Sequence, residues 1–148
     1  MQQFLLLLLQ HIAEQFPFLS LVAEDCGQLE TDDDQYPVTF PCLLAGNIDI
    51  NWQSLTEQVN SQRGEGSITV RLAIDCYDDV HIGSTQETSM SERQQMAADI
   101  HAELQGLQFE ETARSVWPLS RIKSRDYTLP GNIKVYETMY SFIIYDEV

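Results

Sequence analysis

The alternation of apolar and polar positions is clearest in the segment 68–77. Every second residue is apolar, and the residues between them include Thr69, Arg71 and Asp75. A period of two is typical of a β-strand, whose side chains point to opposite faces in turn. We therefore predict a strand with one buried face and one face directed to solvent or a partner. The apolar positions are Ile68, Val70, Leu72, Ile74 and Cys76.

Apolar runs elsewhere predict further strands. A short strand is expected at 18–24, and a longer one at 37–44, where Pro41 indicates an edge or a bulge. Pro118 suggests the same for a strand at 116–122, and 133–145 predicts a long last strand. Its residues Tyr136, Tyr140, Phe142 and Ile144 share one face by parity. The polar segments 53–66, 78–89 and 123–132 are predicted to be loops, and Gly64-Glu65-Gly66 a turn.

Two segments have the composition and spacing of helices. The first, at 2–15, ends before Pro17 and is apolar on nearly all sides. The second, at 92–107, has the capping-box spacing Ser89/Glu92 at its start and Gly106 near its end. The order of elements predicts one α+β domain over 1–148, a largely antiparallel twisted sheet with two main helices packed on it.

The apolar run at 4–9 is too short to cross a bilayer and lacks the basic flank and cleavage site of a signal peptide. We therefore expect it to be part of a buried first helix, with no membrane partner.

The charge balance narrows the classes of binding partner. Lys and Arg number 8 against 23 Asp and Glu, a formal net charge of -15. Such a surface disfavours tight binding to nucleic acid or to anionic membranes, because both depend on basic side chains. The charge supports solubility, or it allows the protein to lie beside a polyanion without sticking to it.

Candidate chemistry is sparse. The sequence has no HExxH, GxSxG or phosphate-binding glycine loop, so no motif predicts a catalytic, cofactor or metal site, although catalytic groups can meet in space without a sequence motif. The densest cluster, Asp75, Asp78, Asp79 and His81, could hold a divalent cation. Turn-forming aspartates at a solvated strand end account for it more simply.

Other reactive side chains also have structural explanations. The run 32–34 lacks the spacing of a calcium loop and is expected to be a solvated loop. His11, in an apolar helix, is expected to be a packing or interface residue, and His101, beside Glu103, has no Cys or second His at ligand spacing. Cys26, Cys42 and Cys76 form no CxxC pair, so we expect buried free thiols, with Cys76 on the apolar face of its strand.

Several segments, taken in order, resemble the tail-terminator (tail-completion) proteins of long-tailed bacteriophages and prophages, most of all those of gut Bacteroidetes prophages. They are the short opening helix, Asp25-Cys26-Gly27-Gln28-Leu29, Val38-Thr39-Phe40-Pro41-Cys42-Leu43-Leu44, the strand 68–76 before a polar loop, the helix into Leu104-Gln105-Gly106-Leu107, and a last strand ending in Tyr145-Asp146.

The resemblance implies a structural protein without catalytic residues or cofactor. Proteins of this kind form a ring, usually a hexamer, on the finished tail tube. They stop tube polymerisation and offer a surface to the head–tail connector protein, while DNA passes through the lumen. The expected locations are the bacterial host cytoplasm during assembly and the virion tail.

Half of the basic residues fall within twelve positions, and they are the candidate subunit interface. In a strongly acidic protein they could pair with acidic groups of the next subunit. A solvated strand and loop is the alternative, since surface ion pairs contribute little. The four residues are Arg114, Arg121, Lys123 and Arg125.

Three other functions stay open at this point. A neck or head–tail connector protein would share the class but bind another neighbour. An enzyme would need a pocket, for which Asp78 and His81 are the candidates. An acidic mimic of nucleic acid would need carboxylates arrayed on one face, whereas the acidic residues here are dispersed.

Overall fold

The chain folds into a five-stranded sheet with two helices. The computed structural model describes residues 2–31, 35–55, 57, 61–76, 87–109 and 118–147. The predicted α+β class is confirmed. In chain order the elements are α1 (Gln2–Gln15), β1 (Leu21–Glu24), β2 (Cys42–Ser54), β3 (Ser61–Asp75), α2 (Glu87–Leu104), β4 (Ser120–Leu129) and β5 (Ile133–Glu147).

The strands follow the order β1-β2-β3-β5-β4, and every neighbouring pair is antiparallel except β1 and β2. β3 is the central strand, paired along its length with β5 and along most of its length with β2. The two outer strands are shorter than the strands they flank. β1 covers only Cys42–Ala45 of β2, and β4 covers only 133–141 of β5.

Both helices pack on one face of the sheet. Phe4, Leu8 and Ile12 recur at helical spacing along α1 and are almost fully buried. Ile100 and Leu104 of α2 join the same cluster. The sheet contributes the alternate residues of β3 and β5 that the sequence places on one face, which confirms the parity predicted for both strands. We call this side the helix face.

The opposite face is also covered, by the segment between β1 and β2. Residues 25–31 and 35–40, which we call the strap, bring Leu29, Val38 and Phe40 against that face. The strap closes a second apolar cluster that includes Leu44 and Ala73. The prediction that this face of β3 meets solvent or a partner is therefore wrong for its middle. We call this side the strap face.

The start of β2 corrects the strand predicted at 37–44. The strand begins at Cys42, directly after Pro41, and residues 37–41 belong to the strap. Pro37 and Pro41 lack the backbone N–H that a strand ladder needs, which is the physical reason for the late start.

The predicted loop at 53–66 and its glycine turn are also wrong, because β3 begins at Ser61. Gly64 and Gly66 lie within the strand on the helix face, and side chains from the neighbouring strands pack over them. A Cβ at Gly66 would lie 2.7 Å from Phe142 and 2.9 Å from Ile50. The glycines are therefore required by close side-chain packing across β3, and they do not form a turn.

The predicted loop at 123–132 is mostly strand. β4 runs from Ser120 to Leu129, and only residues 130–132 turn into β5. The sequence of this segment resembles a loop because Ser120–Asp126 show no apolar alternation. In the structure all seven of these residues are exposed. The strand predicted at 116–122 begins at Ser120, and 116–117 lie outside the described residues.

The second helix begins earlier than predicted, at Glu87, and ends at Leu104. Ser89 lies inside the helix, so the capping-box prediction is wrong; no Gly or Pro between 87 and 92 opposes a helix there. The predicted C-terminal cap is confirmed. Gly106 has a φ of +81°, and its N–H donates to the carbonyl of Leu119 at 2.7 Å.

We expect Gly66→Val to lower the free energy of unfolding by about 1–3 kcal/mol, because the added side chain overlaps Phe142 and Ile50. Urea denaturation followed by circular dichroism measures this. Ser67→Val is the matched control on the opposite face of the same strand. If both variants had the stability of the original chain, the close packing over Gly66 would be excluded.

Candidate assembly surface

The outer edge of β4 is the longest open strand edge next to basic side chains. β4 pairs with β5 on one side, and no described strand pairs with its other side. An open edge presents unpaired N–H and C=O groups, which can pair with a strand from another molecule. At Arg121, however, the backbone N–H already donates to the Gln105 side chain at 2.9 Å. A bulge between Arg121 and Lys123 interrupts the β4–β5 register, and Ile122, at the bulge, is 57% exposed.

Three of the four predicted interface residues lie on β4, and all three are exposed. Their register with β5 places Arg121 on the helix face and Lys123 and Arg125 on the strap face. Arg125 donates to Glu137 within the chain, so its charge already has a partner. Lys123 has no ion pair with any described residue. Arg114 lies outside the described residues.

A second open edge lies at the other side of the sheet. Beyond Ala45, the outer side of β2 has no strand beside it among the described residues. This stretch ends in exposed apolar side chains, Trp52 at 39% and Leu55 at 51%. Asp49 is exposed and lies on the strap face, where no described residue pairs with it. The two open edges differ in residues, charge and position.

A buried ion network fastens the strap to the sheet. Arg71 projects from β3 on the strap face, and its Nε and Nη2 donate to the Asp25 carboxylate at 2.8 and 2.9 Å. It also donates to Glu30 at 2.5 and 3.1 Å. The side chains of Arg71 and Asp25 are only 7% and 2% exposed. The planar guanidinium satisfies both carboxylates at once, as a lysine could not.

The network continues across the sheet to β4. Arg71 Nη1 lies 3.4 Å from the Tyr127 hydroxyl, and this hydroxyl donates to Glu137 at 3.0 Å. Glu137 lies opposite both Arg71 and Arg125 in the strand register, so the three charges form one row across β3, β5 and β4. The row links the strap to the edge strand.

The charged groups of this network shift one another's pKa values. Burial opposes the charge of Arg71, but hydrogen bonds to Glu30 and Tyr127 and the Asp25 carboxylate raise its pKa. The hydrogen bond from Arg71 lowers the pKa of Glu30. Burial works against ionisation of Glu137, and the hydrogen bonds from Arg125 and Tyr127 outweigh it and lower its pKa. All three groups therefore stay charged at neutral pH.

Both described histidines contact other elements of the fold. The His11 ring lies 2.7 Å from the Glu103 carboxylate and joins α1 to α2. The His101 ring lies 2.9 Å from the buried Tyr140 hydroxyl. Burial, and then the charge of Arg121, lower the pKa of His101, while burial raises that of Tyr140 to about 12. Both groups are neutral at physiological pH.

The cysteines only partly match expectation. All three are free thiols, and burial raises the pKa of Cys42 to about 11, which makes this thiol unreactive. Cys26, however, is exposed in the strap, because the chain leaves β1 there, and Cys76 is only half-buried. Cys76 follows the last residue of β3, so the helices no longer cover it fully.

The acidic cluster cannot be assembled from the described residues. Asp75 ends β3, whereas Asp78, Asp79, His81 and the run 32–34 lie outside the described part of the chain. Within that part, no group of three or more metal-ligating side chains occurs. A groove of about 300 Å³ lies between α2 and β4. Asp126 and Lys134 in its wall form an ion pair, with 2.8 Å between the carboxylate oxygen and the ammonium nitrogen.

The comparisons with known proteins add no relative. No protein-family model matches the chain, and no curated protein matches it either. Among the described residues, no helix is both long and apolar enough to span a membrane.

We expect Arg71→Leu to lower the free energy of unfolding by about 3–5 kcal/mol, because it leaves the Asp25 carboxylate buried without a partner. Arg63→Leu, on the same strand, is the matched control. Arg63 pairs with an exposed Glu65 carboxylate, and its loss should cost far less stability than the loss of Arg71. Equal effects of the two substitutions would contradict the role given to the buried network.

Acid should weaken the same network. Glu30 and Glu137 have folded-state pKa values below their usual value near 4.5, so their stabilisation is complete above that pH and is lost as the pH falls through the lowered values. We expect the stability difference between the original chain and the variant Glu30→Gln/Glu137→Gln to be constant from pH 7 to about 5 and to shrink below about 4.5. Urea titrations at several pH values measure it; a constant difference down to pH 3 would contradict the assignment.

Proposed function

We propose that this protein is a structural part of a phage or prophage tail, which self-associates into a ring that caps the tail tube. The observation that carries the proposal is the pair of unlike open sheet edges, one on β4 and one on β2. The resemblance of the chain to tail-terminator proteins supports the same assignment. The ring ends tube polymerisation and offers a joining surface to the head connector.

Two unlike edges favour a ring over a two-fold dimer. A two-fold dimer buries the same patch on both subunits, whereas a ring joins one patch to a different patch of the next subunit. The β4 edge carries three basic residues, whereas the β2 edge carries one carboxylate, Asp49, and the exposed Trp52, so each is better suited to the other than to itself. Rotation then closes the chain of contacts, and we infer a hexamer from the resemblance.

The charge of the protein supports a lumen through which DNA passes. With a net charge of -15, most of the surface repels phosphate groups, so DNA would pass without being held. Of the eight basic residues, Arg63, Arg71, Arg125 and Lys134 already have acidic partners in the chain. In this proposal the tail tube protein and the head–tail connector protein are the axial neighbours, in the host cytoplasm during assembly and then in the virion tail.

We expect the variant Arg121→Glu/Lys123→Glu to assemble less well while it stays folded, because both side chains are exposed on β4. Sedimentation velocity over a range of protein concentration gives the assembly state, and circular dichroism gives the fold. Glu14→Lys/Glu92→Lys, on exposed helix positions, is the control for two charge reversals. An unchanged oligomer would exclude the two basic residues from the contact.

A further inference from the structure

We propose that the trough between α2 and the helix face of β4 binds an extended acidic peptide segment of another protein, through the guanidinium groups of Arg93 and Arg121. The inference goes beyond the proposed function, because it concerns a further partner and does not depend on how the subunits of a ring join.

The trough consists of two adjoining grooves. One is the groove of about 300 Å³ described above, and the other, of about 250 Å³, continues it along α2. Asp126 and Tyr136 line both grooves. The α2 residues in the wall run from Met90 to His101, a rise of about 16 Å along the helix. An extended peptide covers this length with about five residues.

Small side chains leave room for a peptide chain in the trough. Ala97 and Ala98 form the α2 wall of the second groove, and the exposed β4 residues Ser124 and Thr128 line the opposite side. Their hydroxyl groups can both donate to and accept from a peptide backbone. The trough therefore suits an extended main chain better than a row of bulky apolar side chains.

The two flanks of α2 differ in charge. Glu92, Asp99 and Glu103 recur at helical spacing along one flank, which is directed to α1 where Glu103 meets His11. None of the α2 residues that line the trough is acidic. In a chain with a net charge of -15, the flank along the trough is thus free of the carboxylates that would repel an acidic ligand.

Two arginines of the trough have no ion pair with any described residue. Arg93 lines the first groove and is half-buried, and its Nε is buried without a hydrogen-bond partner in the described part of the chain. Arg121 lines the second groove and is exposed on the helix face. A carboxylate is the acceptor that a guanidinium binds most strongly, so each arginine can receive one carboxylate of a ligand.

The acidic groups that line the trough are already paired within the chain. Asp126 forms its ion pair with Lys134 at 2.8 Å. Glu137 accepts a hydrogen bond from Arg125. Because these pairs cancel, the free arginines leave a positive charge in each groove.

The separation of the two arginines sets the spacing of the carboxylates in the ligand. Arg121 lines the same groove as His101, which lies about 12 Å beyond Arg93 along α2. In an extended peptide this distance corresponds to about four positions. A short peptide with two such carboxylates is complementary to the trough. A DNA duplex is not, because its further phosphates would meet the acidic surface of the rest of the protein.

Binding of designed peptides tests the site. The probes are fluorescein-labelled hexapeptides of glycine and serine that carry two aspartates, one to five positions apart, with asparagine in the same positions as the neutral control. We expect fluorescence polarisation to show the tightest binding for aspartates about four positions apart, at least tenfold tighter than for the matching asparagine peptide. Equal binding of the aspartate and asparagine peptides would overturn the proposal.

Charge removal in the protein gives the second arm. We expect Arg93→Gln and Arg121→Gln each to weaken binding of the best peptide at least tenfold. Lys123→Gln is the matched control, because Lys123 is also exposed and without an ion pair to a described residue, but lies on the strap face of β4. An equal loss in the control would show attraction to the basic strand as a whole, and the trough would be excluded as the site.

A steric substitution gives the third arm. We expect Ala98→Phe to fill the trough and abolish peptide binding, while circular dichroism shows an unchanged fold because Ala98 is exposed. Gln95→Phe, at an exposed α2 position outside the trough, is the control and should bind like the original chain. Undiminished binding by Ala98→Phe would contradict the proposed path of the peptide.

Competition and sedimentation separate the remaining outcomes. If glutarate or a short DNA duplex displaced the peptide at equal or lower concentration than the unlabelled peptide does, the ligand would be a small dicarboxylic acid or a nucleic acid, and the peptide proposal would be wrong. Sedimentation of the same samples distinguishes this inference from the ring. A monomer that binds the peptide supports the trough and not the ring, and a ring that does not bind it refutes the trough alone.

Discussion

The structure depends above all on the pairing of β3 along both of its edges. β2 and β5 run beside it for most of its fifteen residues, and both of its faces are covered in the middle of the sheet. The apolar residues of one face receive the two helices, and Arg71 on the other receives the strap. Among the described strands, β3 is paired with its two neighbours over the greatest length, so the other elements are positioned relative to it.

The two outer strands, β1 and β4, leave strand edges of the sheet open. β1 is shorter than β2, and no described strand lies beyond β4, so two stretches of open edge remain. Natural sheets commonly protect such edges with charges or bulges, and β4 has both. A row of charges from Arg71 through Glu137 to Arg125 ties β4 to the buried network. The proposed assembly thus uses an edge strand that the core holds rigid.

The sequence was sufficient for the features that depend on local periodicity. The alternation in β3 and β5, the first helix and the cap at Gly106 follow from spacing and residue type alone, and the structure confirms them. The errors at β4 and at the glycines of β3 share one cause, since each involves a contact between distant segments. β4 looks like a loop because its partner is another strand, and Gly66 looks like a turn because Phe142 and Ile50 lie far away in sequence. Arg71 gave no signal of its own, because the alternation placed it on the face that was expected to meet solvent or a partner.

The central claim is that unlike edges of this chain join into a closed ring. Negative-stain electron microscopy of the purified protein, together with its sedimentation mass over a range of concentration and salt, tests that claim most directly. The account predicts rings of uniform size with an open lumen, whose mass is a whole multiple of 16.9 kDa, with a hexamer expected. A monomer or a two-fold dimer under all conditions would contradict it.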